Sequence, residues 1–160
     1  MQSPMTQPAT AAPPVTPYAL IGGEPGVRRL VESFYDAMET DPAFAALRAI
    51  HAPDLMPMRA RLADFLVQWM GGPRIYAERH PGRGCVVSAH RPIPIDARLA
   101  DQWSACMRQA LTTAGVAPEL GAMLDLAFDA MCQGLRNART AATGTVDGHS
   151  GPRVSSPPPI

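Results

Sequence analysis

Four side chains capable of chemistry stand on or beside stretches otherwise built for packing: Tyr35, His51, His90 and Trp103. A phenol or an indole on the inner stripe of a helix carries a hydrogen-bond donor into a dry interior. An imidazole can ligate a metal or carry a proton. Each also has a plain reading. A buried Tyr or Trp commonly fills space and gives its OH or NH to a nearby carbonyl, a His at a helix start caps or bridges, and a His in an irregular segment is commonly a half-exposed loop residue. Local spacing does not choose between these readings. The histidines lack HxxxH and HExxH spacing, and Cys85, Cys106 and Cys132 form no CxxC pair, so no zinc site is spelled out. GxSxG, P-loop and GxGxxG patterns are absent. Glu24, Glu32, Asp36 and Glu39 read as the solvated face of one helix rather than an acid/base pair.

Helices must position these groups. Val27, Leu30, Val31, Phe34, Tyr35 and Met38 recur at helical spacing and predict a helix from about Pro25 to Thr40, broken by Asp41-Pro42. A short piece, Ala43 to Ile50, leads to His51. Met58, Leu62, Phe65, Leu66 and Trp69 share a face of a second helix, about Leu55 to Met70, which Gly71-Gly72-Pro73 ends. Leu99, Trp103, Cys106, Met107, Ala110 and Leu111 give a third, about Asp96 to Ala114, with Asp96 as its N-cap. Leu120, Leu124, Phe128, Met131 and Leu135 give a fourth, about Pro118 to Asn137. Between the second and third, the stretch Pro73 to Ile95 is broken by Pro81, Gly82, Gly84, Pro92 and Pro94 and shows no sustained period. Such a segment inside a compact domain is often functional, and it contains His80 and His90. No alternating strand occurs, so the fold class is all-α.

Length and composition set the limits. One domain fits 160 residues, and 46% apolar residues suffice for a core. Net charge is zero with only 18% charged residues, which gives no electrostatic drive toward nucleic acid or an anionic membrane surface. Residues 1–17 are uncharged and Pro-rich, without the pattern of a signal peptide, and residues 138–160 are equally poor in large apolar groups. Both tails are expected to be disordered, leaving 18–137 as the domain. No apolar run approaches the ~20 residues that span a bilayer. Scattered cysteines, odd in number, point to a reducing, cytoplasmic setting, with Cys106 and Cys132 as small apolar core residues.

Taken in order, the residues resemble a truncated haemoglobin of the second group. The matching pieces are Ile21-Gly22-Gly23, Phe34-Tyr35, Leu47-Arg48-Ala49-Ile50-His51 and Pro53-Asp54-Leu55. They continue with Arg61-Leu62, Phe65-Leu66, Gly71-Gly72-Pro73 with Tyr76, His90 with Pro92, and Asp101-Gln102-Trp103 with Cys106-Met107. The resemblance covers about residues 18–137. It implies a two-on-two helical sandwich around haem, with a reduced proximal helix behind a long loop. It also implies a non-covalent haem b whose iron is held by His90, since no CxxCH attaches a haem covalently. Tyr35, His51 and Trp103 match positions that point hydrogen-bond donors at a bound gas. Phe34, Met58, Leu62, Phe65, Leu66 and Ile95 are expected as apolar haem contacts, Arg61 and Tyr76 match positions that reach its propionates, and Arg91 is expected among the haem-binding residues.

The chain departs from the family pattern beside the ligand. An Arg usually precedes the proximal His, and here Ala89 stands there, with Arg91 or Arg74 as possible substitutes; the preceding loop is one residue longer than usual. His80 is the competing ligand, disfavoured by the turn Pro81-Gly82. Three functions compete. The first is O2 binding or transport at a five-coordinate iron, in a monomer or homodimer. The second is peroxidase-like or nitric-oxide-oxidising turnover served by a reductase. The third is a cofactor-free helical interaction module.

Overall fold

The computed structural model describes residues 14–137, so residues 1–13 and 138–160 of the expected tails lie outside the described residues. The folded part begins slightly earlier than hydropathy suggests. Thr16 Oγ1 accepts from Ala19 N at 3.2 Å and caps a one-turn helix, α1, Pro17–Leu20. Tyr18 N donates to Met70 O at 3.0 Å, which ties this entry turn to the end of the second long helix. Gly26 lets the turn close: a Cβ there would stand 1.9 Å from Ile21 O.

The predicted helices are present with small shifts at their ends. The first, α2, spans Gly23–Thr40 and starts two residues early because Gly22, at φ 93°, serves as its N-cap. A 3-10 turn, Pro42–Phe44, and the short α3, Ala45–Ala49, follow. Next is α4, Met56–Trp69, ended by Gly71 at φ 91°, a conformation in which a side chain is strained. The irregular stretch holds two five-residue helices, α5 (Ile75–Arg79) and α6 (Val86–His90). Each is too short to repeat an apolar face, so periodicity could not show them. Helix α7, Ala97–Thr113, starts where Asp96 Oδ1 accepts from Leu99 N at 2.9 Å. The last helix, α8, Pro118–Gly134, stops three residues short of Asn137. The chain turns there because Asn137 is drawn elsewhere: its N–H donates to Ile95 O, and its side chain bonds the segment around His90.

Two helix pairs form the body, α2 on α4 and α7 on α8, with α2 crossing onto α7 between them. Val27, Leu30, Phe34, Leu66, Cys106 and Ala110 are fully sealed at that junction. Among the described residues there are helices and no strand, as the expected all-α sandwich of two helix pairs requires. No helix there is long and apolar enough to cross a membrane.

The acidic face of α2 is more than a solvated surface. Glu32, Asp36 and Glu39 converge on Arg59 of α4, which is 8% exposed. A second buried ion, Asp64 of α4, accepts from Arg79 at 2.8 Å and lies 3.1 Å from His80 Nε2. That cluster pins α5 to α4.

Candidate ligand site

His90 is the last residue of α6, and one contact fixes its chemistry. Its Nδ1 lies 2.7 Å from Val86 O, one helical turn back. A carbonyl only accepts, so Nδ1 carries the hydrogen, and in the neutral ring Nε2 keeps its lone pair. Nε2 has no hydrogen-bond partner among the described residues. Asn137 supports the segment: its Nδ2 donates to His90 O at 3.3 Å and Ile93 O at 2.9 Å, while Ile95 N donates to its Oδ1 at 2.8 Å. An oriented imidazole with a free nitrogen on a braced backbone is a ligand prepared in advance. His80 is placed differently. Its Nε2 is engaged with Asp64, and its ring lies 5.0 Å from that of Tyr76.

Tyr35 and Trp103 come together through Phe34. The Phe34 ring packs edge-on to Tyr35 at 5.1 Å and tilted to Trp103 at 5.4 Å. Tyr35 is 2% exposed, and burial pushes its phenol far above the ordinary range, against the opposing pull of Arg59 and Arg61. It therefore stays a neutral O–H donor. Neither the Tyr35 hydroxyl nor the Trp103 indole N–H bonds a protein acceptor among the described residues. Yet no fully sealed side-chain polar atom is left without a partner, so both open on reachable space. Two donors in an apolar wall with nothing to donate to suit a small ligand that can accept.

His51 plays a different part from the one expected of a donor. Its Nδ1 donates to Leu47 O at 2.8 Å, which leaves Nε2 an acceptor in the neutral ring. Its ring stands edge-on to Tyr35 at 6.2 Å. Burial chiefly lowers its pKa below 6.5; the Leu47 carbonyl opposes this, and the charge of Arg48 adds to it. The unfolded chain thus takes up this proton at a higher pH than the folded one. Stability is full above 6.5 and is lost as pH falls through the lowered value. A His51→Phe variant is expected to show a flatter melting temperature between about pH 7 and pH 5 than the wild type. An unchanged slope would mean that this ring does not titrate as its surroundings dictate.

The remaining side chains expected at the haem differ in exposure. Met58, Leu62, Phe65 and Trp103 are half-buried against the core and keep open apolar surface, whereas Phe34 and Leu66 are sealed and act as backing. Ile95 belongs to a small second cluster with Ala100 and Cys132, against which Trp103 also packs. Tyr76 packs edge-on to Phe65 at 5.7 Å. Arg61 donates to Met58 Sδ at 3.5 Å, and Arg61, Arg74 and Arg91 form no ion pair among the described residues. Ala89 is exposed and leaves its position without a cation. A groove of about 620 Å³ between the end of α2 and α3 includes His51 but neither His90 nor Tyr35, so the site rests on the side chains and not on that groove.

No group of three or more His, Cys, Asp or Glu suited to a bare metal ion occurs among the described residues. A free imidazole such as that of His90 would suit instead an iron whose remaining ligands belong to a prosthetic group. Half-buried apolar side chains, cations without an ion pair among the described residues and unengaged donors are the chemistry that would suit a flat apolar group with acidic substituents. Sequence reasoning found these residues but missed three supports: Val86 O, Asn137 and Arg59. The first is visible only once α6 is known to be helical. The other two act across at least 42 and 20 positions of sequence, beyond any local pattern.

A model of the bacterial-like globin family matches residues 16–135. A group 2 truncated hemoglobin of Bacillus subtilis is 35% identical over 104 residues, covering 65% of this chain and 75% of that protein. Among solved structures, a group II 2-on-2 hemoglobin from Agrobacterium tumefaciens superposes with a TM-score of 0.74 at 31% identity, covering 82% of this chain and 100% of its own. A truncated oxygen-avid haemoglobin from Bacillus subtilis superposes with a TM-score of 0.69 at 30% identity, covering 77% and 100%.

Proposed function

Since the chain belongs to the bacterial-like globins, among the group II truncated haemoglobins, we propose that it holds haem b through His90 and binds O2 and other diatomic gases. The free, oriented Nε2 of His90 carries this reading. When bound, haem supplies an iron with an open sixth position for a small gas.

The chain's own residues do the rest. Val86 O and Asn137 hold the imidazole's tautomer and its backbone. Met58, Leu62 and Phe65 offer apolar surface to the ring and keep water from it. Arg61, Tyr76 and Arg91 meet the propionates, with exposed Arg91 and Arg74 covering for Ala89. Tyr35 and Trp103 aim O–H and N–H at the gas, while His51 stays neutral beside Tyr35. The oxygen-avid relative supports tight O2 holding.

Stepwise addition of haem to the purified chain is the test. The expected result is a sharp absorbance band that free haem lacks, saturating at about one haem per chain. A chain that adds nothing to the spectrum of free haem would be a helical interaction module on a globin scaffold.

A further inference from the structure

We propose that Arg59 is a positioning residue for the Tyr35 donor: its guanidinium, clamped by three carboxylates, holds the phenol ring in its working orientation. Arg59 lies on α4 with its head pushed under α2. Nη1 donates to Glu32 O at 3.2 Å and to the Glu32 carboxylate. Nη2 donates to Asp36 Oδ1 at 2.7 Å and Glu39 Oε2 at 3.0 Å. The three carboxylates sit four and three residues apart on α2, so they occupy one face, and Tyr35 lies between the first two in sequence. The guanidinium carbon stands 5.5 Å from the Tyr35 ring centroid.

This arrangement exceeds what joining two helices requires. One carboxylate would complete an ion pair, and apolar residues commonly join helices at least as well as a buried cation. Three carboxylates instead fix both the place and the plane of the fork, which then meets the aromatic ring as a cation. The same positive charge opposes the effect of burial on the phenol and polarises its O–H toward donation. Arg59 touches neither the gas nor the haem in this account; it acts through Tyr35. The inference rests on the O2-binding reading for its consequence, but the Arg59–Tyr35 contact itself does not.

The test is a cycle of four proteins: wild type, Arg59→Met, Tyr35→Phe and the double variant, each loaded with haem and measured for O2 dissociation. Arg59→Met is expected to speed release about 3- to 10-fold, the scale of a desolvated cation–π contact. In the Tyr35→Phe background the same change should have no further effect, because the hydroxyl is already gone. An equal acceleration in both backgrounds would reduce Arg59 to a helix strut and overturn the proposal. Should Arg59→Met fail to fold, the exposed pair Asp36→Asn with Glu39→Gln loosens the fork while keeping the cation; a faster release that vanishes with Tyr35→Phe supports the proposal, and an unchanged release overturns it.

The haem-free chain supplies an independent readout by NMR. The Tyr35 ring should flip about tenfold faster in Arg59→Met than in wild type, and Arg59→Lys should restore part of the hindrance. An unchanged flip rate overturns the proposal whether or not haem binds. Haem uptake by the wild type separates that outcome from failure of the O2-binding reading.

Discussion

A His90→Ala variant is expected to lose haem affinity by at least about 100-fold, beyond the 10- to 100-fold that loss of a supporting contact costs a metal site. Of the other described histidines, His80 has its Nε2 engaged with Asp64, while His51, whose Nε2 is also free, lies beside Tyr35. The substitution is mild for the fold itself. His90 closes a five-residue helix and is only partly buried, and Asn137 bonds its carbonyl rather than its ring. The variant should therefore keep its helical circular dichroism and melt within a few degrees of the haem-free wild type. Loss of haem together with loss of helicity would show a structural residue, and unchanged haem retention would remove His90 from the account. Equilibrium transfer of haem to an excess of a high-affinity acceptor protein measures the change.

The second large effect is expected in the rate at which O2 leaves. The Tyr35 hydroxyl is a neutral donor, nearly sealed, with no protein acceptor to compete for it. A donor in a dry pocket facing a partly negative ligand approaches the strength of a charge-assisted bond, roughly 1.5–3 kcal/mol. Tyr35→Phe should then release O2 about 10- to 100-fold faster, and leave carbon monoxide, a poorer acceptor, much less affected. Phe fills nearly the same volume, so packing against Phe34 and Arg59 persists and the change isolates the hydroxyl. Stopped-flow displacement of O2 provides the rate. Equal effects on the two gases would point to altered access instead of a lost hydrogen bond.

These effects depend on features of unequal visibility in the sequence. The long helices were legible because burial on one side imposes a 3.6-residue period, and Asp96 announced the start of α7 as a side-chain cap. Tyr35 and Trp103 were visible as polar groups on apolar stripes, though only the resemblance to truncated haemoglobins gave them a common purpose. His90 had no local mark at all. Its ligand geometry depends on Val86 O, one turn back in a helix too short to leave a period. Asn137 was read as the end of α8, where it proves to be a brace for the segment carrying His90. His51 was read as a donor, and the Leu47 carbonyl reverses that for the neutral ring, a matter of tautomer that residue identity never encodes. The acidic face of α2 looked solvated because alternate charges on a helix usually are; Arg59 reaches it from another helix.

The central claim is that His90 Nε2 holds the iron while Nδ1–H remains with Val86 O. Resonance Raman spectroscopy of the reduced, gas-free, haem-loaded protein tests it most directly, through the iron–histidine stretching band. The band should be present in the wild type, absent from a His90→Gly variant, and restored there by added imidazole. A band that persists in His90→Gly without imidazole would place the iron on another histidine and contradict the account.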